Sequence, residues 1–233
     1  MKIKIVLLGV VTVAALFSGI WFLVSPSLNR QADLAQQEEL LDSIMAVIAD
    51  SEAFVHEPTA NNAATERQGD DSVPDEPSPV SPPPTPLNQS DFPSGIIPIG
   101  ILTIGKIDLR LPIMEGVNEP ELRIAPGRVP QTAEVGELGN AVIAGHRNFT
   151  FGSMFNRLGE VEIGDMVEFQ TMSGEVMAFE VFEVLVITPC DQIAFIQPQN
   201  ESIITLYTCT PIREATHRLL VRATKIEGGI SYE

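Results

Sequence analysis

The stretch TLYTCTPIREATHRLLVRA, residues 205–223, decides how the rest of the chain is read. It carries Cys209, one of only 2 cysteines, between Thr208 and Thr210, followed by His217, Arg218 and Arg222. The runs SIITLYTC and HRLLVRATKI flank it and are dense in Ile, Leu and Val, the composition of strands; the proline between them marks a turn. Cys209 therefore ends one strand, and the two arginines lie on the next. A cysteine there is either a small packed residue or a nucleophile. The choice turns on what other chemistry the fold brings to it.

Working outward, the segment from residue 91 to about residue 228 shows short apolar runs broken by Gly, Pro and acidic residues. GILTIGKIDLRLPIM reads as two strands around a turn, and NAVIAGH, MVEFQT and MAFEVFEVLVITP as further strands. NEPELRIAP and GSMFNRLGEV read as short helical pieces. Many short strands with turn signals, and no alternating βαβ units, predict an antiparallel barrel or sandwich.

Few residues can carry chemistry. Of the 3 histidines, His56 lies in a polar segment, His146 ends the NAVIAGH strand and His217 follows Cys209 by eight residues. Two cysteines 19 residues apart, with no His-x-x-x-His pair, do not form a metal-ligand set, so no metal site is expected. No Cys-x-x-Cys redox motif, glycine-rich phosphate loop or Gly-x-Ser-x-Gly elbow is present. The formal net charge of −17 excludes nucleic acid as a partner, since phosphate neutralisation takes clustered Lys and Arg. What remains is one cysteine and one histidine at strand ends, with an arginine on the next strand. A thiolate needs a base or cation nearby, and acyl transfer needs donors for a developing oxyanion.

These residues resemble the motifs of the sortase family. TLYTCTP followed by THRLLVR is similar to the sortase Thr-Leu-x-Thr-Cys-Thr-Pro signature of class C, with class D as the related alternative. VIAGHR resembles the sortase histidine strand. GILTIGKIDLRLPIMEG resembles the opening strands, with Gly105 where a proline is usual, and LGEVEIGDMVEF fits the short helix and Gly-Asp turn after the histidine. The resemblance covers about residues 100–226.

It implies a mostly β fold, an eight-stranded sortase-type β-barrel with short helices. Cys209 would be the nucleophile, His146 the acid/base partner and Arg218 the substrate-positioning oxyanion donor. Arg222 would be structural. Arg147 and His217, each next to a site residue, should point to the opposite faces of their strands. The class C lid motif, Asp-Pro-aromatic, has its parts in another order at Asp91-Phe92-Pro93, which makes Asp91 and Phe92 candidates for a rudimentary lid. Cys190, in VITPCDQ, is expected near the site rim. A disulfide to Cys209 would block the nucleophile, so both thiols are expected free.

The N-terminal part is of another kind. Ile5 to Val24 carries no charge, and 20 residues at about 1.5 Å each span roughly 30 Å, a bilayer core. Lys2 and Lys4 precede it and Trp21 lies near its far end. Residues 1–30 are therefore expected to be a single-pass signal-anchor in the cell membrane, with the N-terminus cytoplasmic and the catalytic domain extracytoplasmic. Residues 31–52 have apolar positions three and four apart, which suits one amphipathic helix. It has three possible places: on the catalytic domain, against a second chain or at the membrane. SVPDEPSPVSPPPTP then makes an acidic, proline-rich disordered linker, so residues 31–90 form a short helix and spacer. Residues 91–233 form the catalytic domain, expected to fold alone.

The function implied by the resemblance is a cysteine transpeptidase, an acyltransferase with hydrolase character. It would cleave an LPxTG-like sorting signal through a thioester and pass it to an amine of cell-wall precursor or to a pilin lysine, with no cofactor. Two other readings stay open: a non-catalytic surface binding domain on the same barrel, and a hydrolytic cysteine peptidase.

Overall fold

The computed structural model describes residues 31–50, 97–147 and 153–226. The expected membrane anchor at 1–30, the proline-rich spacer and the candidate lid residues Asp91 and Phe92 lie outside the described residues. Among the described residues, no helix is long and apolar enough to cross a membrane.

Eight strands close into a barrel: β1 (Pro98–Ile104), β2 (Leu109–Glu115), β3 (Gly127–Arg128), β4 (Gly139–Ala144), β5 (Met166–Thr171), β6 (Val176–Ile187), β7 (Ser202–Thr210) and β8 (His217–Lys225). Their order around the wall is β1-β2-β3-β4-β7-β8-β6-β5, with β5 returning to β1. Helix α1 covers residues 31–50 and α2 is the single turn Glu119–Leu122. The barrel is filled by Leu102, Ile104, Ile113, Ile143, Phe155, Phe169, Phe179, Ile204, Leu206 and Val221, all buried. They come from seven strands and from the segment after β4. Closure leaves no open sheet edge for another chain to pair with.

Two features depart from the sequence reading. The expected all-antiparallel pairing is corrected: β2–β3 and β4–β7 run parallel. Parallel neighbours need a crossover. Here the chain leaves β4, builds β5 and β6 on the far side of the wall, and returns through the long β6–β7 connection. The second feature is β3, which escaped the sequence because two residues have no periodicity. Its place depends on Gly127, where an added Cβ would meet the Gly116 carbonyl oxygen at 1.8 Å.

Strand β6 holds one extra residue. Val181 pairs with Ala223 and Glu183 with Arg222, so Phe182 bulges out of the ladder. Before the bulge Phe179 and Val181 point into the barrel core. After it the phase inverts. Val184 packs on that core, while Leu185 and Ile187 join a separate apolar cluster on the outside of the wall. A bulge turns a strand in this way because one residue shifts the two-fold alternation of side chains.

Of the three places open to the helix at 31–50, the barrel is the one it takes. Leu40, Ile44 and Ile48, four residues apart on one face, are buried against Ile101, Met114 and Ala125. Arg123 adds an exposed ion pair to Asp33 at 3.2 Å. The barrel alone would leave this apolar face wet. Ile44→Ala is expected to destabilise the protein by about 2–4 kcal/mol, read as a fall in denaturation midpoint. A chain of residues 91–233 should melt below the full chain.

Candidate active site

The strand register brings the three predicted residues to one end of the barrel wall. Cys209, near the end of β7, is the direct antiparallel partner of Arg218 near the start of β8. The parallel ladder between β4 and β7 ends at Ala144 opposite Tyr207. Carried two residues further, it sets His146 level with Cys209. Side-chain alternation gives the facing. Leu206 packs in the barrel core and Tyr207 on the outside cluster, so Cys209 shares the outer face with Tyr207. Arg218 lies on that face too, being two residues before Leu220 of the same cluster. All three candidates are half-buried.

The chain carrying His146 has left its strand, yet it is held on several sides. Gly145 N–H donates to the Tyr207 carbonyl at 3.1 Å, and the Phe155 N–H donates to the His146 carbonyl at 3.1 Å. Thr208 Oγ1 donates to the Gly145 carbonyl at 2.7 Å. The Phe155 ring lies so close that an added Cβ at Gly145 would meet it at 2.9 Å. Glycine at that position is thus a packing requirement. Arg147 turns to the opposite side, as alternation predicts, and its Nη1 donates to Thr210 Oγ1 at 2.8 Å. Burial pushes the Arg147 guanidinium below its ordinary pKa.

Arg218 Nη1 donates to the carbonyls of His217 and Ala215, at 2.9 and 3.0 Å. One arm of the guanidinium is thereby tethered to the turn between β7 and β8. Arg222 has a different setting: it is paired with Glu183, directly across from it on β6, and its guanidinium lies 5.1 Å from the centre of the Phe182 ring. His217 is exposed, with Nδ1 2.9 Å from Thr216 Oγ1.

The outer face next to Cys209 is walled by the β6–β7 connection. Its single 3-10 turn, Ile193–Phe195, packs with Leu185, Ile187, Tyr207 and Leu220 into an apolar cluster. A buried polar network fixes that loop. Asn140, fully buried on β4, donates through Nδ2 to the carbonyls of Ala194 at 2.9 Å and Ile196 at 3.2 Å. Its Oδ1 accepts from Thr205 Oγ1 at 2.7 Å. Gln197 closes the arrangement, accepting from Asn140 N–H and donating to the Asn140 carbonyl. Cys190 sits exposed on the same connection, and both thiols are free. Sequence reasoning missed Asn140. Its signal was a lone amide inside an otherwise apolar strand, a residue type that is buried only when hydrogen-bonded.

A family model described as Sortase domain matches residues 102–226. Sortase D of Bacillus subtilis (strain 168) is 34% identical over 113 residues, covering 48% of this chain and 54% of that protein. Among solved structures, Streptococcus agalactiae sortase C1 in complex with MTSET is 32% identical with a TM-score of 0.54, covering 57% of this chain and 72% of that one. A Clostridium perfringens Sortase D5 transpeptidase is 31% identical with a TM-score of 0.51, covering 56% and 79%. The eight-stranded barrel and the family match agree: this chain belongs to the sortase family. It spans about half the length of the curated relatives it matches.

Asn140→Ala would strand the Thr205 hydroxyl and two loop carbonyls. A buried group left without its partner costs about 1–3 kcal/mol. The expected outcome is a lower melting temperature together with faster proteolytic cutting within residues 188–201.

Proposed function

We propose that this chain is a cysteine transpeptidase, held in the cell membrane by residues 1–30, with its barrel outside the cell. It acts on LPxTG-like sorting signals. The observation that carries the reading is the register that sets Cys209, Arg218 and His146 together on one outer face, beside an apolar wall.

Each residue has a role in this reading. The Cys209 thiolate attacks the carbonyl carbon of the signal's threonine, and a tetrahedral oxyanion forms. Arg218 presents planar N–H donors to it, with one arm fixed by the turn so that the fork is aimed before substrate arrives. The C–N bond to glycine breaks, the imidazolium of His146 gives its proton to the departing amine, and a thioester remains on Cys209. An acceptor amine then attacks the thioester, its proton passes to His146, and the thiolate leaves. The acceptor is cell-wall precursor or a pilin lysine. The apolar cluster of Ile187, Ile193, Phe195 and Leu220 suits the Leu-Pro end of such a signal, because apolar side chains gain from leaving water there. No cofactor is called for by this sequence of steps.

Mass spectrometry of the protein after exposure to a sorting-signal peptide tests the reading. A thioester adduct should form with the parent and with Cys190→Ser and be absent in Cys209→Ala. No adduct with any signal peptide would favour a binding module, and an adduct released only by water, whatever amine is added, would favour a peptidase. Arg218→Lys keeps the charge but loses the planar fork. Losing a directed oxyanion donor costs on the order of 10²–10³ in rate, so turnover should fall by that factor with the melting temperature little changed. Arg222→Lys should cost far less.

A further inference from the structure

The two threonines that flank Cys209 both bond to the segment that carries His146. Thr208 Oγ1 donates to the carbonyl of Gly145, the residue before the histidine, at 2.7 Å. Thr210 Oγ1 accepts from Nη1 of Arg147, the residue after it, at 2.8 Å. The pair Cys209 and His146 is therefore bracketed on both sides. The first link copies the parallel ladder, which ends at Ala144. The second continues it with a side chain where the backbone ladder has stopped.

Arg147 is also gripped from behind. Its Nε donates to the Asn156 carbonyl at 3.4 Å. Its Nη2 lies against Gly159, where an added Cβ would approach to 2.6 Å. Among the described residues, both hydrogen-bond partners are neutral oxygens. Leaving a partly buried cation with neutral partners costs stability relative to a carboxylate partner or open water. The arrangement gives back geometry: the guanidinium joins the turn after β4 to the last residue of β7.

We propose that Arg147 is a positioning residue, a side-chain rung between Thr210 and Asn156 that sets the separation of His146 from Cys209. This rests on the reading of Cys209 and His146 as the reacting pair. Arg147 touches neither the substrate nor the thiol, and it acts by where it holds the histidine.

The test uses the full-length chain in detergent with Cys190→Ser as parent, so that Cys209 is the one reactive thiol. Two rates are read at equal folded concentration: alkylation of Cys209 by iodoacetamide, and turnover of a sorting-signal peptide. Displacing a reacting group by about 1 Å costs up to about 10²-fold. Arg147→Met and the near-isosteric Thr210→Val should each lower kcat by roughly 10- to 100-fold with KM little changed, and slow alkylation. Thr210→Ser, which keeps the acceptor, should restore both rates. The double variant should be no worse than the worse single. Gly159→Ala, which pushes the guanidinium aside without altering it, should copy Arg147→Met. His146→Ala calibrates the alkylation rate. If it slows alkylation while Arg147→Met and Thr210→Val do not, the rung is wrong. Losses that merely follow the folded fraction, or Thr210→Ser behaving as Thr210→Val, overturn it as well. If His146→Ala leaves alkylation unchanged, the Cys209–His146 pair itself fails, and the proposed function with it.

Discussion

The parallel pairing of β4 with β7 is the constraint on which the site depends. Cys209 and Arg218 need only a hairpin, since they lie on consecutive strands that face each other across an antiparallel ladder. His146 is 63 residues earlier than Cys209 in the chain, and an antiparallel β4 would have carried it to the far end of the barrel. Running β4 in the same direction as β7 makes both strands finish at one rim, with Gly145 and Arg147 on either side of the histidine bonded to Thr208 and Thr210 on either side of the cysteine. The cost is a long crossover, and that crossover is put to use. Its first part supplies Phe155 and Asn156, which hold the histidine segment. Its return supplies the loop that walls the outer face.

Three kinds of interaction divide the work. Apolar packing closes the barrel and mounts α1 on its outside, with no directional demand. Directed hydrogen bonds appear where chain has left the ladder: around His146, at the Arg218 tether, and in the Asn140 network beneath the groove wall. Ion pairs sit toward the periphery. Lys106 with Glu162 is exposed and contributes little, as such pairs do. Arg128 bonds Glu115 through two nitrogens and the carbonyls of Thr132 and Ala133 through a third. It thereby pins the short β3, which has only two residues of ladder to hold it.

Much of this was legible in the sequence, for identifiable reasons. Seven strands announced themselves because their apolar residues are contiguous or alternate over six or more positions. Cys209 and His146 stood out as chemistry-bearing residues at strand ends, while the choice of Arg218 over Arg222 came from the family resemblance. Pairing direction was not legible, because alternation within one strand says nothing about which neighbour it takes. Strand β3 was hidden by its length. Asn140 and Arg147 were hidden because their importance lies in partners 54 to 65 residues away, and no local pattern encodes that. The helix at 31–50 could be seen, with its apolar face, but not the surface that covers it.

The bulge at Phe182 has a further meaning. Strand β6 serves two masters, the barrel interior with its first half and the outer groove with its second, and a single inserted residue separates the two duties. Its length is therefore locked like a reading frame. Removing Phe182 would only restore regular alternation, but inserting one residue between Val184 and Leu185 would turn Leu185 and Ile187 inward, emptying the outer wall and overfilling the lumen together. The loop that follows carries no such frame, since it is anchored by Asn140 and Gln197 at a few points only. Any change in the size of the groove must then be made by the loop, with the strand left as it is.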